Sequence, residues 1–426
     1  MFKINDEWTF SNEKKREIFN ELSLLNTELH TLLKSNKNCS KIFCVTGSNQ
    51  RKIAACSIFL LEQGHKVILL PENWNPKITN VYYDYMVIYH TKKIVVEINQ
   101  DPINSTQFYN TDLVYFTSGS TGIPKPIGVT NDQLKLTANW YQNIYKITKD
   151  SVICSNLPST YNFTFVAGIY LSYLTGCNIY LENDHSRLLL KIPSLSQKYD
   201  RVVLLANPLV LEWLSSLHLS YIPNLLIDTG GAPVSTEAIK KFRETLGDIR
   251  EGYGLTETCS LTHFDSVGDL HSIGTVGPNL TGVNQKIVNQ NGKPSLYLQS
   301  PNRGINLLSQ NMNCNYLNEF FDTGDLGLIN EKGHLRLLGR KDDFKINGLW
   351  PRDTLDILGP MLGYRCAMIR HLSPEKVLVK LWGNQDENLT TTLKKSIMSN
   401  LNISKESIQV DYLYSGKLHS YKIPRQ

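Results

Sequence analysis

The run Thr117-Ser118-Gly119-Ser120-Thr121-Gly122-Ile123-Pro124-Lys125-Pro126 puts four hydroxyls, two glycines and a lysine into one short loop. That set suits a phosphate. Gly119 and Gly122 let the backbone turn its N–H groups toward one centre, the hydroxyls of Thr117, Ser118, Ser120 and Thr121 add donors, and Lys125 adds positive charge. The spacing excludes two commoner glycine loops: no Gly-Lys-Ser/Thr ending is present, and no Gly-x-Gly-x-x-Gly. Glycine and serine alone would read as an ordinary turn. The full ten residues are more specific than that.

Four further stretches carry polar groups at turns, each with a plain structural reading of its own. Gly252-Tyr253-Gly254-Leu255-Thr256-Glu257 reads as a turn into a helix with Thr256 as its cap. Gly230-Gly231-Ala232-Pro233 is a turn after a strand ending at Asp228, and Phe321-Asp322-Thr323-Gly324-Asp325 is a loop with an Asx-type turn. Gly339-Arg340-Lys341-Asp342-Asp343 reads as a solvated charge run. A fifth stretch, Ser420-Tyr421-Lys422-Ile423-Pro424-Arg425, ends the sequence with a lysine that would ordinarily be solvated.

In order along the chain these stretches resemble the signatures of the acyl-adenylate-forming family, which includes acyl- and aryl-CoA ligases, peptide-synthetase adenylation domains and firefly luciferase. The resemblance runs from Thr117 to Arg425, roughly three quarters of the sequence. It implies ATP and magnesium as cofactors. By resemblance Tyr253 stacks on adenine, beside Gly254; the Thr256 hydroxyl meets the α-phosphate, and Glu257 is the magnesium ligand. Gly230, Gly231 and Ala232 approach adenine and the acyl group, Asp325 accepts hydrogen bonds from both ribose hydroxyls, and Arg340 contacts the ribose. Asp342 is the implied hinge, and Lys422 the lysine that bridges carboxylate and α-phosphate, with Lys417 as competitor because Tyr421 stands where relatives have Gly.

The implied chemistry has two steps. A carboxylate attacks the α-phosphorus of ATP and expels pyrophosphate; a thiol then attacks the acyl-adenylate and releases AMP. Leu157-Pro158-Ser159-Thr160-Tyr161-Asn162-Phe163 resembles the acid-pocket run of aryl-acid adenylating members, with Tyr161 and Asn162 in the substrate pocket. Asn162 is neutral, so an α-amino acid, whose ammonium would lie unpaired, is not expected; an aryl acid such as a hydroxybenzoate is preferred over an alkyl acid. The expected acceptor is the pantetheine thiol of a carrier protein, by analogy with short stand-alone relatives. The alternatives are free coenzyme A or, on a luciferase-like reading, oxygen. The sequence departs from the family at Tyr161, at Pro294-Ser295, in the interval from Asp343 to Gly348, and in a short segment ahead of the loop.

These groups need a frame. The apolar run Leu113-Val114-Tyr115-Phe116 reads as a buried strand feeding the loop. Residues 41–48, 53–62 and 67–70 form a strand–helix–strand unit, and strands near 152–154, 178–181, 202–205 and 225–227 alternate with helices over 132–145, 165–174 and 209–217. The expected fold is α/β: a large doubly wound N-terminal core with an antiparallel β subdomain, residues 1–341, and a small mobile α+β C-terminal domain, residues 342–426. Asn291-Gly292 and Glu331-Lys332-Gly333 mark hairpins of the subdomain. A lone Gly47-Ser48 turn leaves a dinucleotide site as a remote alternative.

Composition is that of a globular enzyme, 41% hydrophobic and 19% charged with net charge +5. No lysine–arginine block supports a nucleic-acid partner, and no apolar run reaches membrane length. Eight scattered cysteines without a Cys-x-x-Cys pair suit reduced thiols in a cytoplasmic protein.

Overall fold

The β-branched and aromatic run Ile42–Gly47 is an interior strand of a seven-stranded sheet. Lys66–Leu69 and Tyr85–Tyr89 flank it in parallel, and Leu113–Thr117 adds to Lys66–Leu69, also in parallel. Antiparallel strands Ile94–Ile98 and Lys125–Val129 border this group, and Ile305–Asn306 closes one edge. The computed structural model describes residues 10–25, 27–34, 40–72, 74, 81–90, 93–99, 111–117, 125–217, 219–265, 272–308, 316–365, 367–382 and 384–413.

A second sheet carries the rest of the alternation. Its order is His263–Phe264, Asp248–Tyr253, Leu225–Thr229, Arg201–Ala206, Ser151–Ser155, Asn178–Leu181, parallel except at the His263–Phe264 edge. Strands buried on both faces need helices on both sides. Helix Gln50–Glu62 covers the first sheet and meets the helix Thr164–Tyr170, which covers the second; Val45, Phe165, Val166 and Leu205 share one buried cluster. The far face of the second sheet is sealed by helices His185–Lys198, Pro208–Ser216 and Thr236–Thr245 through Leu189, Leu211 and Phe242. Thr164–Tyr170 is π-helical and only then becomes α-helix at Leu171–Thr175, so the helix read over 165–174 is wider than an α-helix for its first half.

Past residue 280 the texture changes as expected. Asn284–Gln290 and Lys293–Gln299 form a hairpin whose turn residues, Asn291 and Gly292, both take positive φ (52° and 77°), the geometry of a type I′ turn. Phe321–Ile329 and Leu335–Arg340 complete a four-stranded antiparallel sheet. Beyond it, helices Pro351–Leu362 and Glu387–Leu401 pack on strands Ala367–Ser373, Lys376–Trp382 and Ile408–Leu413, with their own apolar cluster of Leu355, Leu358, Val379 and Ile397.

Five cysteines among the described residues, Cys44, Cys56, Cys154, Cys177 and Cys259, are buried thiols outside any disulfide, and burial pushes those of Cys44, Cys56 and Cys259 up to about 12. No described helix is long and apolar enough to cross a membrane.

Candidate nucleotide and acid site

Tyr253, Asp325 and Arg340 come from three different strands and meet at one carboxylate. The hairpin Phe321–Ile329/Leu335–Arg340 sets Asp325 opposite Arg340 in register, and Tyr253 ends its strand beside them. Arg340 Nη1 donates to Asp325 Oδ1 at 2.6 Å, and the Tyr253 hydroxyl donates to Oδ2 at 2.8 Å. The Asp325 N–H donates to Thr323 Oγ1 at 3.1 Å, which fixes the backbone under the carboxylate. Burial and the neighbouring Asp325 push the Tyr253 phenol well above its ordinary value, so it stays a neutral donor. Burial works against the Arg340 charge, but the Asp325 carboxylate outweighs it and holds the guanidinium protonated. An ionised carboxylate offers about four acceptor positions, so these two bonds leave room for two hydroxyls of a ribose.

Next along the chain, Thr256–Thr258 is a tight 3-10 turn that touches the strand Leu113–Thr117, the stem of the proposed phosphate loop. Gly254 is required here: a Cβ on it would lie 1.9 Å from the Ser260 carbonyl oxygen. Ser260 itself sits at φ 91°, a strained position for a side-chain-bearing residue, where its hydroxyl pairs with the Tyr141 hydroxyl at 2.9 Å. Sequence reading missed the residue that pins this turn. Fully buried Asn302 donates through Nδ2 to the carbonyls of Thr258 (2.6 Å) and Leu261 (2.9 Å) and to Thr137 Oγ1 (3.0 Å), an arrangement no local spacing reveals.

Glu257 is half-buried on that turn, and Gly304 N–H holds its carbonyl at 2.9 Å. No group of three or more His, Cys, Asp or Glu that could cage a metal occurs among the described residues. One carboxylate is nonetheless what magnesium needs when most of its ligands are phosphates and water, so Glu257 fits that ion. Thr117 and Lys125 close the hairpin at the base of the loop, paired in register. Ser118, Gly119, Ser120, Thr121, Gly122, Lys417 and Lys422 lie outside the described residues.

In the stretches expected to face the acid, Gly230 follows the strand Leu225–Thr229, Gly231 takes φ 89°, and half-buried Ala232 completes the turn. Tyr161 and Asn162 lie just ahead of the π-helix, with Phe165 N–H bonded to the Tyr161 carbonyl at 2.8 Å. Asn162 Oδ1 accepts from Phe163 N–H at 2.9 Å and its Nδ2 reaches the Leu255 carbonyl at 3.5 Å. The amide is therefore occupied in part by backbone. At the expected hinge the Asp342 side chain is 74% exposed and pairs with Arg370 at 2.9 Å. Asp343 is the buried carboxylate, accepting from Arg340 N–H at 2.7 Å and Arg370 Nε at 2.5 Å. Lys293 bonds the carbonyls of Lys341 and Asp343 on either side, both at 2.7 Å.

His263, its ring 5.7 Å from that of Tyr253, is fully buried between Thr262 Oγ1 (2.9 Å) and Gln285 Oε1 (3.0 Å). Burial pulls its pKa down to about 4 against the opposing Gln285 bond. The folded imidazole stays neutral while the unfolded one protonates below about 6.5, so its stabilisation is complete above that pH and is lost as pH falls toward 4. Over that window wild type is expected to lose about 3 kcal/mol more than His263→Gln, measured by urea unfolding at several pH values. Equal pH slopes would contradict neutral burial of this ring.

Residues 63–299 match the family described as AMP-binding enzyme. The 2-succinylbenzoate–CoA ligase of Listeria monocytogenes is 25% identical over 74% of this chain and 64% of its own length. That of Staphylococcus aureus is 25% identical over 79% and 68%. The chain thus spans just under two thirds of the Listeria relative. An anthranilate CoA ligase solved with anthranoyl-AMP shares the fold at TM-score 0.69 and 15% identity, covering 93% of this chain and 88% of that one. An o-succinylbenzoate CoA synthetase from Bacillus subtilis, solved with its acyl-adenylate intermediate, does so at 0.70 and 17%, covering 94% and 88%.

Proposed function

The chain belongs to the AMP-binding enzyme family, and from that premise we propose that it activates a small carboxylic acid with ATP and passes the acyl group to the thiol of coenzyme A. The observation that carries this reading is the convergence of Tyr253, Asp325 and Arg340 beside the Thr256–Thr258 turn. Asp325 and Arg340 bind the ribose, Tyr253 supports adenine, and Thr256 donates to the α-phosphate. Glu257 would hold magnesium, which would supply charge neutralisation for the triphosphate. A carboxylate oxygen of the acid then bonds to the α-phosphorus as the bond to the pyrophosphate oxygen breaks. In the second step the thiolate sulfur bonds to the acyl carbon and AMP departs with the electron pair of the broken C–O bond. Positioning and charge stabilisation suffice for both steps, and no enzyme nucleophile is used.

Lys422 is assigned to the developing charge of the first step, with Lys417 the second candidate. Residues 342–426 form the mobile unit, turning at Asp342. The carrier-protein acceptor expected from the sequence is replaced by free coenzyme A, because the similar proteins whose names state an acceptor are acid–CoA ligases. An aryl acid remains the preferred substrate.

The test is ATP–pyrophosphate exchange on the purified chain with a panel of benzoates, succinylbenzoate, fatty acids and amino acids, followed by thioester formation with coenzyme A. Acid-dependent exchange at least about tenfold over the no-acid rate, then release of AMP on adding coenzyme A, is expected. Exchange without thioester would return the acceptor to a carrier protein. Absence of exchange with every acid from a folded protein that binds ATP would overturn the adenylation reading.

A further inference from the structure

The segment from Ser300 to Leu307 grips two parts of the site at once. On one side fully buried Asn302 donates through Nδ2 to the carbonyls of Thr258 and Leu261 at 2.6 and 2.9 Å, and the Gly304 N–H donates to the Glu257 carbonyl at 2.9 Å. Three carbonyls of the Glu257 turn thus hang from two residues. On the other side Ile305 and Asn306 pair antiparallel with Gly128 and Ile127, and the Leu307 N–H donates to the Pro126 carbonyl at 3.0 Å. Those partners belong to the strand Lys125–Val129, which starts at the lysine of the proposed phosphate loop.

The fit leaves no slack. A Cβ on Gly304 would lie 2.6 Å from Ile127 Cγ2 and 2.9 Å from the Gly128 carbonyl oxygen, so only glycine lets the segment touch strand and turn together. Between the two carbonyls that Asn302 holds, the chain passes through Cys259 at φ 47° and Ser260 at φ 91°. Side chains disfavour such left-handed positions, which persist only where the surroundings over-determine them. Asn302 supplies that determination, and its own amide is oriented by Ser300 Oγ, which donates to Asn302 Oδ1 at 2.5 Å. The NH2 group brings two hydrogens to three acceptors, the third being Thr137 Oγ1 at 3.0 Å on the helix Asn131–Tyr145. It is fully committed to protein groups.

We infer that Asn302 is a positioning residue for the magnesium and phosphate half of the site: with Gly304 it sets how far Glu257 stands from the strand that carries Lys125, and so the gap into which a magnesium triphosphate must fit. It acts through the turn and the strand. The inference rests on the adenylation reading for what fills the gap, and it divides the site in two. Tyr253, Asp325 and Arg340 hold one another through their own hydrogen bonds, so the nucleoside half does not depend on Asn302. The phosphate half does. Magnesium demands near-octahedral geometry at short ligand distances, and a small displacement of Glu257 is felt there first.

The test is calorimetric binding of adenosine, and of ATP over a range of magnesium concentrations, to the full chain without acid. Asn302→Ala is expected to keep adenosine affinity within about twofold of wild type, to weaken magnesium ATP at least about tenfold, and to raise the magnesium needed for half-maximal ATP binding at least about fivefold. Thr137→Val is the control. It removes the third acceptor at nearly constant shape, so the two hydrogens of the amide serve the two carbonyls alone, and both nucleotides are expected to bind as they do to wild type. Gly304→Ala must part the segment from strand or turn; it is expected to repeat the Asn302→Ala pattern and replaces that variant if it does not fold. A purely structural Asn302 would weaken adenosine and magnesium ATP alike, or neither, and that result overturns the inference. So does a Thr137→Val variant as defective as Asn302→Ala, or failure of both Asn302→Ala and Gly304→Ala to fold, which would assign the two residues to the fold alone. Pyrophosphate exchange is measured on wild type alongside: the nucleotide split without exchange for any acid removes the adenylation reading and leaves this one, whereas exchange without the split does the reverse. Wild type that binds neither nucleotide overturns both.

Discussion

Asp325→Ala is expected to lower kcat/KM for ATP in pyrophosphate exchange by about 100-fold, the equivalent of about 3 kcal/mol, from loss of the two charge-assisted hydrogen bonds proposed to the ribose and release of Arg340. The reasoning starts at the hairpin. Asp325 and Arg340 face each other in register, and their 2.6 Å bond is joined by the Tyr253 hydroxyl at 2.8 Å. Removing the carboxylate therefore frees two donors as well as removing an acceptor. Arg340 is two-thirds buried by its side chain, and without Asp325 it keeps its charge with less to pair it. Asp325→Asn is the sharper control. It retains one acceptor oxygen and the packing, but loses the negative charge that orients Arg340, so most of the loss is expected to persist. The loss belongs in the KM for ATP if ribose binding is uniform through the reaction, and in kcat if it tightens only as the α-phosphorus is attacked. Less than a threefold change in a folded variant would take Asp325 out of the nucleotide site.

How that site could be seen in the sequence depends on the residue. Asn291-Gly292 announced its hairpin because a type I′ turn requires positive φ at both positions, and few other pairs supply it. The glycines at Gly254 and Gly231 were legible for the same reason: a close approach and a left-handed turn exclude side chains. By contrast, the hairpin Tyr85–Tyr89/Ile94–Ile98 went unread, because His90 to Lys93 contain no Gly, Asn or Pro to mark a turn. Helix Pro351–Leu362 was hidden by Gly359 and Pro360, which locally read as breakers although Pro351 is a good first helical residue. In sequence Asp228 is only the end of a strand before a glycine turn. Its buried setting depends on which strand lies alongside and on Gly252 being there, and that is information about pairing across 24 residues rather than about spacing. Asn302 is the same case: the three acceptors of its Nδ2 come from Thr137, Thr258 and Leu261. Local chemistry can be read one stretch at a time, whereas convergence is a property of the sheet.

The joint between the two units yields the largest expected stability effect. Arg352, on the helix Pro351–Leu362, is 3% exposed and donates through Nη1 and Nη2 to the two oxygens of Glu251, both at 3.2 Å; Glu251 is 5% exposed and lies two residues before Tyr253. Glu251 also accepts from Val234 N–H at 3.1 Å, and Arg352 Nε reaches Asp356 at 3.3 Å. Burial opposes the Arg352 charge, but Glu251 and Asp356 overcome it and raise its pKa. Arg352→Ala would leave Glu251 charged, buried and without its counterion. The expected loss is about 3–5 kcal/mol in urea unfolding, far above the cost of trimming an exposed arginine. Two outcomes separate charge from packing. Arg352→Met with Glu251→Gln removes both charges while keeping most of the volume, and is expected to recover all but about 1–2 kcal/mol, because an intact buried pair contributes little net stability once its desolvation is counted. If the double variant is as unstable as Arg352→Ala, the arginine serves by filling space. A rotation of residues 342–426 about Asp342 would part this pair, so the single and double variants also bear on motion. With both charges gone, the orientation seen here loses a buried electrostatic tie, and the thioester-forming step should gain relative to pyrophosphate exchange if that orientation serves adenylation, or fall behind it if the orientation serves thioester formation.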